Sequence, residues 1–173
     1  ACTERIRRRA DRVASSSGVE DSYLYVRKAR SKGVAVERSD PPSVLLPQAI
    51  AEMGEAQRVF ALAKAMANIS VGLYAVDRLT PRELEIVLAA ISRRVADGYG
   101  AGLTSEDILD DIGKRLYKAL PRRNRKATDE AARAYVGAKK IDYAHFVEAV
   151  VTSASRIALV ICDDVVAALD VLQ

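Results

Sequence analysis

Histidine and cysteine are almost missing from this chain: His145 is the single imidazole, and Cys2 and Cys162 are the two thiols. Structural zinc sites use four Cys or His ligands, and catalytic sites usually keep three protein ligands. Three such residues scattered over 173 positions therefore exclude ordinary zinc chemistry. Cysteines at opposite ends give no disulfide framework either, and free thiols in a reducing cytoplasm are the expectation. Only five Pro and nine Gly argue against long disordered linkers. No uninterrupted apolar run approaches the roughly 18–20 residues that span a bilayer; Ile157 to Cys162 stops at Asp163-Asp164. No membrane partner is expected. Motifs of acyl transfer, phosphate binding and dinucleotide binding are also missing. Ser153 and Ser155 have no base in pattern, and His145 falls on the Tyr143–Phe146 turn, exposed or half-buried.

What is present is an ordinary folded composition, half hydrophobic and 29% charged, enough for one domain over residues 1–173. A basic helix is predicted from Thr3 to Ser15, with Ile6, Ala10, Val13 and Ala14 as a thin apolar stripe. Tyr23–Val26, Gly33–Glu37 and Val44–Leu46 are short, β-branched or aromatic, and bounded by turn residues, so they read as strands. From Glu55 onward the pattern is helical. Thr80-Pro81-Arg82-Glu83 combines an N-cap, Pro at the first helical position and a capping box. That helix is expected to reach Asp97-Gly98. Others open at Thr104-Ser105, at Pro121 (reaching Lys139 or Lys140), at Asp142 and at Asp163 or Asp164. The Asp142 helix has so little polar surface that it is expected in the centre, against Val59 to Ile69. Strands first and helices after give an α+β chain, mostly α: a small N-terminal sheet of about three strands, then a bundle of about six helices.

Ala61-Leu62-Ala63-Lys64-Ala65-Met66-Ala67-Asn68-Ile69 has the layout of a helix carrying H-E-x-x-H, with the chemistry replaced. In that motif two His at i and i+4 grip Zn²⁺ and the Glu polarises water. Here Lys64 stands at the first His, Ala65 at the Glu and Asn68 at the second His. A protonated Lys repels a cation, and Ala cannot move a proton. Taken alone, the stripe Val59, Leu62, Ala63, Met66 and Ala67 also reads as plain core. Two further segments keep the order: Pro42-Ser43-Val44-Leu45-Leu46-Pro47 with Gln48 to Met53 before it, and Val151-Thr152-Ser153-Ala154-Ser155-Arg156 after it.

On these segments the chain resembles a degenerate member of the CAAX-protease-like gluzincin family. It is most similar to the non-catalytic versions found at the C-terminal end of some bacterial tetratricopeptide-repeat proteins. The family takes its third zinc ligand from a later helix, commonly in E-x-x-A-D-R. Ala154 and Arg156 match, while Val151 falls at the Glu and Ser155 at the Asp. The resemblance implies a zinc-peptidase-like fold kept without its metal site. It implies no catalytic residue, no metal, no cofactor, and a cytoplasmic scaffold that binds another protein or its own parent chain. A start at Ala1, without Met or an apolar leader, fits a C-terminal fragment or a processed form.

Two basic clusters remain: Arg5 to Arg12, and Lys114, Arg115, Lys118 with Arg122, Arg123, Arg125 and Lys126. Arg122, Arg123, Arg125 and Lys126 are candidate contacts for an anion or a partner. A nucleic-acid-associated helical domain is the alternative function, with salt-sensitive binding. Against it, the cluster offers no aromatics for base stacking, and Asp107, Asp110 and Asp111 stand ready to neutralise it. For a surviving enzyme, Lys64 would have to be the nucleophile; it could instead snorkel to the cleft mouth or pair with Glu148.

Overall fold

Cap signals and apolar spacing set most of the element boundaries. The structure is a computed structural model. It describes the chain except Ala1, residues 28–32, Arg38, Lys139 and Lys140, and the side chains of Cys2, Thr3, Arg5 and Asp77. Its elements are α1 (Cys2–Ser16), β1 (Tyr23–Arg27), β2 (Ala35–Glu37), β3 (Ser43–Pro47), α2 (Glu55–Ser70), α3 (Pro81–Ser92), α4 (Glu106–Ala119), α5 (Arg122–Val136), α6 (Tyr143–Cys162) and α7 (Val165–Leu172). Short 3₁₀ turns cover Gln48–Ala51 and Val76–Arg78. Among the described residues this is a mostly helical α+β chain with seven α-helices and one small mixed sheet. The chain divides into two compact units, Ala1–Arg78 with Glu148–Gln173, and Leu79–Val147.

In the first unit the strand order is β1-β3-β2, with β1 parallel and β2 antiparallel to β3. Leu24, Val44 and Val36 stand opposite one another in register, so they share one face of the sheet. Val44 and Val36 are buried there in the core, with Leu24 packed against them. Ile6, Ala10, Val13 and Ala14 recur at helical spacing and bury the inner face of α1 in the same core. α2 is its centre. From Val59 to Asn68 every residue but Lys64 is buried, and α1, β2 and α7 pack on this helix. Each large side chain sealed there, such as Phe60 or Leu62, contributes on the order of 1.5–3 kcal/mol.

The expected central position of α6 is corrected. Its buried residues are Val150, Ala154 and Ala158, a narrow i, i+4, i+8 stripe, while Ile157 and Val160 are exposed. Small side chains let α2 bury on nearly every side, and α7 takes the contact expected of α6. The length and composition of α6 suffice for a membrane crossing. Glu148 and Arg156 interrupt its apolar residues, which is why a search for unbroken runs passes over it.

In the second unit α3 packs on both α4 and α5. Thr80 Oγ1 accepts from the Glu83 N–H, and Glu83 Oε2 accepts from the Thr80 N–H, closing the capping box. α3 ends at Ser92, short of the expected Asp97. Ser92 Oγ donates to the Leu88 carbonyl at 2.7 Å, competing locally with the helical pattern. The next turn then tightens through Arg94 N–H to Ile91 O and Val95 N–H to Ser92 O. α5 ends at Val136 before Gly137; the expected end at Lys139 or Lys140 lies outside the described residues. Ala89, Ala90 and fully buried Leu109 form the small core between α3 and α4.

Candidate functional site

Ala61, Lys64, Ala65 and Asn68 fall at i, i+3, i+4 and i+7 of α2, so they share one helical face. They form one wall of a cavity of about 260 Å³ within the first unit. Ala61 and Ala65 contribute only methyl groups, which leaves room above the helix. Lys64 is half-buried at the wall. Asn68 is 3% exposed, and among the described residues its side-chain amide has no hydrogen-bond partner.

Backbone chemistry brings the opposite wall into place. After α2 the Gly72 N–H donates to Ile69 O and the Leu73 N–H to Asn68 O, a Schellman closure with Gly72 at φ 71°. The reversed chain carries Tyr74 and Arg78 to the cavity. On another side the cavity is bounded by Gly33 and Val34, leading into β2, and by Ala35 and Val36 of β2 itself. Among the described residues β2 pairs with β3 alone, so its outer edge is open beside the cavity. Among the described residues the lining includes the cations Lys64 and Arg78 and no acidic residue.

The structure treats the sequence-derived positions unequally. Lys64, Ala65 and Asn68 come together on the cavity wall. Val151 and Ser155 lie on α6, where Ser155 Oγ donates to the Val151 carbonyl at 2.8 Å, and neither lines the cavity. The buried position of that turn is Val150, one residue away. The suggested Lys64–Glu148 pair is not formed: Glu148 is exposed, and Lys64 makes no ion pair among the described residues. Arg78, Tyr74 and the β2 edge were missed by sequence reasoning. Gly72 was the available signal, since a glycine just after an apolar helix marks a chain reversal.

The basic run lies on α4 and α5 of the second unit. Arg122, Arg123 and Lys126 are exposed, and Lys126 faces Glu130 at 3.9 Å. Arg125 is half-buried, and its guanidinium lies 4.8 Å from the Tyr117 ring centre, with that of Arg94 at 3.4 Å. An aromatic ring therefore does sit within the cluster, contrary to the reading of the sequence, but two guanidinium groups already engage it. Of the acids expected to neutralise the run, Asp111 meets Arg115 at 3.5 Å, whereas Asp110 pairs with Arg93 at 3.0 Å.

His145 is exposed in the first turn of α6, and its N–H donates to Asp142 Oδ1. Cys162 is a free, half-buried thiol. No group of three or more His, Cys, Asp or Glu placed to hold a metal occurs among the described residues.

Fold and cavity define a mostly α, α+β chain with a cation-lined cavity beside an open strand edge. No protein-family model, curated protein or solved structure matches it.

Proposed function

We propose that this chain is a non-catalytic interaction module that holds an extended segment of a partner protein along the outer edge of β2. The observation that carries the reading is the open edge of β2 bordering the cavity on α2. An unpaired strand edge offers main-chain hydrogen bonds to an added strand, and an adjoining cavity gives side-chain selectivity. The resemblance to degenerate zinc peptidases supports it, because the replaced positions Lys64, Ala65 and Asn68 line that same cavity. Binding by shape and hydrogen bonding is the chemistry that the described residues lining the cavity supply.

The test is amide exchange of the full chain with randomised N-acetylated decapeptides. Expected is retention of a subset and slowed exchange at Val34 to Glu37. Retention with protection only elsewhere would refute the edge, and no retention would refute the module. The alternative, nucleic-acid association through Lys114 to Lys126, predicts binding to duplex DNA that falls steeply with salt and is lost in Arg122→Ala/Arg123→Ala.

A further inference from the structure

We infer that the cavity beside Lys64 binds a carboxylate, so that the segment laid along β2 is anchored by an acidic terminus or side chain. The inference rests on the reading of β2 as a docking edge and names the chemistry its occupant must carry.

Three groups point to an anion. Lys64 and Arg78 both line the cavity, and among the described residues no acidic side chain lines it with them. Among the described residues neither cation makes an ion pair, so no described acidic group answers their charge. Asn68 supplies the third group. Asn68 is 3% exposed and lines the cavity, and its amide finds no protein partner among the described residues. A cavity-facing amide without a protein partner is free to hydrogen-bond a ligand or water that enters the cavity.

The chemistry of the three groups is complementary. Guanidinium presents a planar fork that matches two carboxylate oxygens, ammonium is a compact point charge, and amide NH₂ is a neutral donor. All three donate, and the two oxygens of a carboxylate only accept. Ala61 and Ala65 keep the space above α2 open for such a group. A metal cation is the wrong occupant, because two positive side chains would repel it. A wholly apolar side chain would leave all three donors unanswered. The adjoining β2 edge says how the carboxylate arrives: at the end of an extended chain or on a side chain that points inward from it.

Three pools of randomised N-acetylated decapeptides test this on the full chain. One has a free C-terminus and no Asp or Glu, one has a C-terminal amide and retains Asp and Glu, and one has the amide and neither acid. Bound peptide is quantified by mass spectrometry for wild type, Lys64→Gln and Arg78→Gln. Retention of the first or second pool at roughly tenfold or more over the third is expected, the scale of a charge-assisted contact. That excess should collapse in both variants. Excess in the first pool assigns a chain terminus as the source, and excess in the second assigns a side chain. Equal retention of all three pools overturns the carboxylate and leaves docking at β2 standing. Retention of none overturns the docking reading and this inference with it. An excess untouched by either variant also overturns it. Arg78 is exposed on a 3₁₀ turn, so its variant keeps the test intact should Lys64→Gln fail to fold.

Discussion

Replacing Gly113 by alanine is expected to destabilise the second unit, although alanine is the better helix former. Gly113 is buried in the interior of α4, where Gly-to-Ala alone would gain about 0.8–1.0 kcal/mol. The neighbour decides the sign. A Cβ at this position would fall 2.6 Å from the Ala90 carbonyl oxygen and 3.3 Å from its carbonyl carbon. Both are backbone atoms of α3, so no side chain can swing aside. Restoring an ordinary contact of about 3.4 Å means moving the two helices apart by about 0.8 Å. A gap of that size forfeits about a quarter to a half of the dispersion well across the contact. Overpacking of this kind costs about 1–3 kcal/mol. Leu109, fully buried with Ala89 and Ala90, is the side chain that would lose most. The net expectation is a loss of up to about 2 kcal/mol after the propensity gain. Urea denaturation followed by circular dichroism measures it, with amide exchange placing the loss in α3 and α4. Gly137→Ala is the control. Its φ is −81°, and its Cβ would meet nothing nearer than 3.7 Å, so it should stabilise by about 0.4–1 kcal/mol. If Gly113→Ala stabilises to the same degree, the close approach of α4 to α3 is not as described.

Thr80→Ala should cost about 1 kcal/mol by removing the N-cap of α3. The Thr80 backbone N–H, and then its hydroxyl, hold the Glu83 carboxyl below its ordinary value of 4.5. A depressed carboxylate stabilises the fold above its unfolded pKa and loses that contribution as pH falls through the folded one. The Glu83 carboxyl resonance should therefore titrate below pH 4.5 in wild type and move part of the way upward in Thr80→Ala, which keeps the backbone N–H; an unchanged midpoint would contradict the hydrogen bond from the Thr80 hydroxyl. Tyr135 is displaced the other way. Burial first, then the hydrogen bond shared with the Tyr143 hydroxyl, pushes its phenol well above the usual 10. Stability from this group is present below pH 10 and is lost as pH rises beyond it. In ultraviolet titration, the absorbance change that Tyr135→Phe removes should appear only above pH 11 in wild type. Complete ionisation of the folded wild type would refute the shift.

Local rules were legible in the chain wherever a residue type acts on its own backbone. Thr80, Pro81 and Glu83 announce the start of α3, and Asp142 and Asp164 cap α6 and α7, because a cap needs only its own helix. The β-branched and aromatic runs marked the three strands for a similar reason. Centrality was not legible. α6 is more apolar in sequence than α2, yet α2 occupies the core, because burial depends on which faces find partners and alanine-rich faces allow the closest approach. The candidate site divides along the same line. Lys64, Ala65 and Asn68 lie on one face by helical geometry alone, which the sequence determines. The reversal at Gly72 that brings Arg78 near is local and was signalled by its glycine, but only the tertiary structure sets β2 beside them, since the strand order β1-β3-β2 and its packing on α2 join segments distant along the chain. Val151 and Ser155 show the converse. Their spacing matched a pattern, but the buried stripe of α6 runs through Val150, and one residue of helical rotation, about 100°, turns a side chain toward a different neighbour.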